Sequence, residues 1–106
     1  LFNADRNEIV EFGATTNKTG YFNINDRDGK KIAWLTYTDG GGGYFALLNN
    51  DIETIRLSTP EEGGRIGISN KLNNRIAYIG TQEDMDGNLT ISNSSGTKLG
   101  GIPTNY

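Results

Sequence analysis

Apolar residues return along this chain at two spacings. Within short segments they alternate with polar or small residues, as in Phe22/Ile24, Phe45/Leu47, Ile66/Ile68 and Leu89/Ile91. A period of two is what a strand with one buried face requires. Over a longer range an opening apolar residue steps Leu1, Ile24, Leu47, Ile68, Ile91, at intervals of 23, 23, 21 and 23 residues. A later column, Ile9, Ile32, Ile55, Ile76 and Leu99, keeps the same spacings. Agreement in two columns identifies a tandem repeat. The units fall at about 1–20, 21–43, 44–64, 65–87 and 88–106, within a single repeat domain spanning 1–106.

Each unit reads as a β-hairpin. The first strand is followed by a turn rich in Asn, Asp, Ser and Gly, which accept left-handed backbone or bond to their own main chain. Gly29 and Gly96 are expected at positive φ, with Asn73 replacing them in the fourth unit. Ile52 stands in that slot in the third unit; a β-branched residue fits it poorly, so that turn should differ in shape. The polar returns close on Gly20, Gly43, Gly64 and Gly87, and a third return shorter by two residues accounts for the interval of 21. Three residues beyond the Ile9/Ile32/Ile76/Leu99 column lie Phe12, Leu35, Ile79 and Ile102, with Ser58 the exception. A step of three breaks simple alternation and predicts a bulge, with Trp34, Leu57 and Tyr78 leaning to a second face. No segment carries a helical apolar stripe, so essentially no helix is expected.

The fold class this predicts is all-β: tandem hairpins stacked as a β-solenoid or repeat sheet, with intertwining in an oligomer as a further form. One hairpin buries too little apolar surface to stand alone, whereas a stack of equivalents shares it. The expected assembly core is Leu1, Ile9, Ile24, Ile32, Leu47, Ile55, Ile68, Ile76, Ile91 and Leu99. Leu1 falls late in the first strand of its unit, which leaves that rung half empty and its neighbour's edge open to another chain. Leu1 also suggests a processed or excised product. Copies of the same chain are the expected partner.

Composition narrows the chemistry. With 34% apolar residues and 15 glycines the core should be thin. The net charge of -3 is spread without a basic stripe, which argues against nucleic acid. No apolar run reaches the length of a membrane span. There is no cysteine and no histidine, so no disulfide or conventional catalytic triad can be assembled. No catalytic residues and no cofactor are expected, and the chain reads as a non-enzyme. Asp26/Asp28 and Asp84/Asp86 resemble fragments of calcium loops. They sit at different places in the repeat and lack the EF-hand spacing, so ordinary D-G turns explain them better. Gly40 to Gly43 lacks the Lys-Ser/Thr and following helix of a phosphate loop. Glu61-Glu62 and Glu83-Asp84 read as solvated loop acids. Asn17, Asn88 and Asn93 match the N-glycosylation acceptor, with Asn17 the most accessible.

The stretches Gly43-Tyr44-Phe45-Ala46-Leu47, Asn25-Asp26-Arg27-Asp28-Gly29-Lys30-Lys31-Ile32-Ala33-Trp34-Leu35 and Ser69 to Gly80 together resemble a bacterial and phage pattern. It consists of repeats of a little over twenty residues in surface proteins and tail-fibre-like shafts. The third unit departs from it at Ile52 and Ser58, and the fifth at Gly100-Gly101. The resemblance implies an extracellular, virion- or cell-surface, fibrous role, often trimeric in shafts. A second likeness is to hairpin repeats of cell-wall and glucan binders, which place aromatics beside a D-G-K turn. It implies surface glycan as a partner, with Trp34 and Tyr37 as leading contacts and Tyr21, Tyr44 and Tyr78 as others.

Overall fold

The computed structural model describes residues 1–38 and 41–103, so Gly40 of the glycine-rich return lies outside the described residues. The strands are β1 (Val10–Ala14), β2 (Gly20–Asn25), β3 (Lys31–Tyr37), β4 (Gly43–Asn49), β5 (Ile52–Ser58), β6 (Arg65–Ser69), β7 (Arg75–Thr81), β8 (Gly87–Ser92) and β9 (Lys98–Ile102). They form one open antiparallel sheet in sequence order, each strand paired with its predecessor. No helix occurs among the described residues. The sheet measures 53 × 31 × 15 Å, the thickness of a single layer with its side chains.

The turns explain the polar columns. In the β2–β3 hairpin Gly29 N–H donates to the Asp26 carbonyl and Asp26 N–H to the Lys30 carbonyl, with Gly29 at φ 85°. The same pattern recurs at Asn70–Asn74 and Asn93–Thr97, with Asn73 at φ 64° and Gly96 at φ 87°. The first residue of each turn carries a side-chain oxygen that caps it: Asp26 Oδ1 accepts from the N–H groups of Asp28 and Lys30, and Asn70 Oδ1 from Leu72 and Asn74. Where the turn also ends in Asn, it grips the next unit. Asn3 and Asn7 amides both donate to the Arg27 carbonyl at 2.8 Å, and those of Asn70 and Asn74 to the Ser94 carbonyl at 2.8 and 3.1 Å.

The third unit turns differently, as Ile52 requires. Asn49 pairs directly with Ile52, and the two residues between, Asn50 and Asp51, hold φ of 51° and 66°. That is the two-residue hairpin turn with both central residues left-handed. It shifts the phase of the strand that follows. Row partners are nine residues apart from Ile24 to Ala33, Ile68 to Ala77 and Ile91 to Gly100, but eight from Leu47 to Ile55. The next return is one residue short as well: thirteen from Ile55 to Ile68, against fourteen from Ala33 to Leu47. The interval of 21 is therefore split between turn and return, where the sequence suggests the return alone. The hairpins of the second to fifth units carry a register shift after their first strand, at Ile24/Asn25, Leu47/Leu48, Ile68/Ser69 and Ile91/Ser92, so the expected bulge is present there.

Arg6, Lys18 and Met85 occupy left-handed positions equivalent to Gly29, at φ of 66°, 66° and 73°. A non-glycine residue with no side-chain partner for that conformation loses about 1–2 kcal/mol there. Met85→Gly is expected to raise stability by about 1 kcal/mol, read as a higher urea midpoint at unchanged slope. A lower midpoint would contradict the turn geometry.

Candidate assembly face and the polar face opposite

Cross-strand register sorts the side chains into rows. One row runs Phe12, Phe22, Leu35, Phe45, Leu57, Ile66, Ile79, Leu89, Ile102. The next row on the same face runs Val10, Ile24, Ala33, Leu47, Ile55, Ile68, Ala77, Ile91, Gly100. Every position but Gly100 is apolar, and none is charged. Nothing among the described residues covers this face: Leu35 and Ile79 are each 49% exposed and Phe12 75%. A depression of about 500 Å³ runs across it beside Leu35, Phe45, Leu57, Ile66 and Ile79.

The other face holds Glu11, Asn23, Trp34, Ala46, Arg56, Gly67, Tyr78, Thr90 and Gly101 in one row. Tyr21, Thr36, Tyr44, Ser58, Arg65, Gly80 and Asn88 follow in the next. Its long side chains lie down over their neighbours. Trp34 and Tyr44 pack edge to face at 5.7 Å between centroids, Lys31 Nζ sits 4.2 Å over Trp34, and the Arg75 guanidinium 4.8 Å over Tyr78. Ala46, between Trp34 and Arg56 in its row, is wholly buried, and Ser69 is 5% exposed. These are the buried residues among those described, and both belong to the polar face. Burial is thus inverted: the polar face covers itself and the apolar face stays open.

The expected assembly residues divide on this frame. Ile24, Leu47, Ile55, Ile68 and Ile91 share one apolar row. Ile32, Ile76 and Leu99 fall at the bulges, between the paired residues Lys31/Ala33, Arg75/Ala77 and Lys98/Gly100. Ile55 therefore does not continue their column, because the shorter turn advances it by one position. The same shift puts Leu57 in the row of Leu35 and Ile79, removing the exception at Ser58. Arg56, not Leu57, is what aligns with Trp34 and Tyr78. Leu1 and Ile9 lie at the sheet margin, where Ile9 N–H donates to the Leu1 carbonyl and Phe2 bridges Glu8. The Phe12-to-Ile102 row as a continuous ladder is what the aligned columns miss; its signal is the second apolar residue of each alternating pair.

The first carboxylate of each aspartate pair is engaged in its own turn. Asp26 caps its hairpin, and Asp84 Oδ1 accepts from Asp86 N–H at 3.0 Å. The two pairs stand at opposite ends of the strands, and no group of three metal-ligating side chains occurs among the described residues. Trp34, Thr36, Tyr37, Thr38 and Tyr44 line a shallow cleft. The Tyr44 hydroxyl donates to Glu53, and burial first, then this bond and the Glu53 charge, push its pKa up to about 12. Favouring the neutral phenol stabilises the fold fully below the ordinary value near 10 and less as pH rises toward 12. Tyr44→Phe should therefore lose stability less steeply than the natural protein between pH 10 and 12 in thermal melts. Parallel profiles would remove Tyr44 from this role.

Neither comparison with models of known protein families nor comparison with curated proteins finds a match for this chain.

Proposed function

We propose that this chain is a structural subunit that assembles with copies of itself into an extracellular fibre or shaft. The observation that carries the reading is the uncovered apolar face. Monomeric proteins rarely expose a contiguous apolar patch beyond a few hundred square ångströms. The accessible surface here is 7317 Å², against about 5,800 Å² for a compact monomer of 11.6 kDa. The radius of gyration is 16.2 Å, against about 13 Å for a compact domain of this length. The excess, on the order of 1,500 Å², exceeds the roughly 800 Å² per partner of a standard interface.

A second copy suits this surface because it presents the same rows at the same strand spacing, about 4.8 Å. Neither apolar row would bring a charge of its own to the contact, since none of its residues is charged. Strand pairing between chains, through backbone hydrogen bonds, would add a second mode of extension. Electron microscopy and sedimentation at micromolar concentration test the reading. Filaments or a closed multiple of 11.6 kDa are expected, and a stable folded monomer would refute it.

A glycan-binding module is the second reading, favoured by the cleft at Trp34 and Tyr37. Tyr37 is 42% exposed, but the Trp34 ring is already met by Lys31 and Tyr44, which leaves less of it for a sugar. On this reading Trp34 fluorescence shifts with sugar and the monomer functions alone.

A further inference from the structure

On the polar face, three arginines from three successive strands meet in one cleft: Arg56 of β5, Arg65 of β6 and Arg75 of β7. They are remote in sequence and the register gathers them, with Arg56 opposite Gly67, Arg65 opposite Ser58 and Arg75 opposite Ser69. Tyr44 and Tyr78 wall the cleft, whose volume is about 150 Å³. Gly67 leaves its middle open: a Cβ there would meet nothing nearer than Arg75 Cδ at 3.7 Å.

The walls are held before any ligand arrives. Tyr44 donates to Glu53, Tyr78 Oη to the Thr81 carbonyl at 3.3 Å, and Arg56 Nη2 to the enclosed Ser69 Oγ at 3.3 Å. Arg65 Nη2 pairs with Glu62 at 3.4 Å, while its Nε is shielded from solvent and has no hydrogen-bond partner. Glu62 and Glu53 offset part of the charge, so three guanidinium groups face two carboxylates. The Arg65 side chain is 36% exposed, so the outer nitrogens of its guanidinium, rather than the shielded Nε, are what an oxyanion in the cleft would meet with charge-assisted bonds.

A second, wholly different hollow adjoins the cleft across Arg75 and Tyr78. It has a volume of about 330 Å³ and is lined with hydroxyl and amide groups, among them Asn74, Thr90, Ser92 and Ser95. We propose that the two together bind an acidic saccharide, with its carboxylate or sulfate among the arginines and its hydroxyls along the polar hollow. A dense polyanion such as nucleic acid fits less well, because the protein as a whole carries -3 and only three of its ten basic residues line the cleft, with no basic stripe to track a backbone. The site lies on the face opposite the apolar rows, and neither Trp34 nor Tyr37 lines it, so it stays accessible whether or not copies cover the apolar face.

Calorimetric titration tests it, with trigalacturonate, a heparin tetrasaccharide, maltotetraose and a single-stranded oligonucleotide as probes. At least one acidic saccharide should bind, tighter trigalacturonate meaning that carboxylate suffices and tighter heparin that sulfate adds to it, and maltotetraose should bind at least about tenfold more weakly. Arg65→Gln and Arg75→Gln should each weaken the acidic ligand about tenfold, whereas Tyr37→Phe should leave it within about twofold. The Arg75 guanidinium lies over the Tyr78 ring at 4.8 Å, away from the Arg65–Glu62 pair, so its variant keeps the test sound if Arg65→Gln fails to fold. Absence of binding by both acidic saccharides, equal binding of maltotetraose or of the oligonucleotide, or indifference to both arginine substitutions would overturn the proposal. A monomeric protein that binds trigalacturonate would refute the fibre and leave this site standing.

Discussion

Ile55→Asp is expected to abolish assembly. Ile55 lies mid-row on the apolar face, between Leu47 and Ile68, and is 36% exposed in the isolated chain. In one layer a carboxylate there reaches water and disturbs no backbone pairing. Against a second copy it is an unpaired buried charge, which costs several kcal/mol at every subunit contact. Sedimentation should therefore shift from a large species to small or unfolded material. Lys71→Ala, on the exposed Asn70–Asn74 turn, should change nothing. An intact filament carrying Ile55→Asp would sink the assignment of the apolar rows to the assembly.

Gly42→Ala is expected to be the most damaging single methyl group. A Cβ at Gly42 would overlap the Thr59 carbonyl oxygen and approach its Cα-bound carbonyl carbon closely. Thr59 cannot retreat: its N–H donates to the Gly43 carbonyl at 3.1 Å, and its hydroxyl accepts from Gly43 N–H at 2.8 Å. The β4–β5 end of the sheet must open to admit the methyl, at a cost of about 2–3 kcal/mol. A fall in Tm of roughly ten degrees or more is expected for a domain of this size. Gly64→Ala, where an added Cβ meets nothing within 4 Å, should differ little from the natural protein. Equal Tm for the two variants would contradict the close approach at Thr59.

Much of this architecture was legible from residue order alone, because the cues are local. Alternation at Phe22/Ile24 marks a strand face, and Asp26 with Gly29 marks a hairpin turn, whatever surrounds them. The phase of the third unit was harder to read. Aligning Ile55 with Ile32 and Ile76 matches residue types, but the two-residue turn at Asn50-Asp51 moves Ile55 into the row of Ala33 and Ala77. In a sheet, a shift of one residue exchanges faces, so a small error in a turn reassigns Leu57 and Arg56 together. The arginine cleft was not legible at all, since nothing in the spacing of Arg56, Arg65 and Arg75 reveals that the register brings them to one spot. Nor did apolar patterning show which face would be covered. Alternation reports that a face wants cover, and the described residues of the single layer do not supply it.

That last point admits a direct measurement. The chain has no cysteine, so Leu35→Cys and Lys71→Cys each place a single thiol, one on the apolar face and one on an exposed turn. In the isolated layer both are open, Leu35 being 49% exposed. With copies packed on the apolar face, the Leu35→Cys thiol should react with a maleimide many times more slowly than the Lys71→Cys thiol, and the gap should close on dilution or in the Ile55→Asp background. Equal rates at micromolar protein, in a folded chain, would mean that the apolar face is open to water and that this account of the protein is wrong.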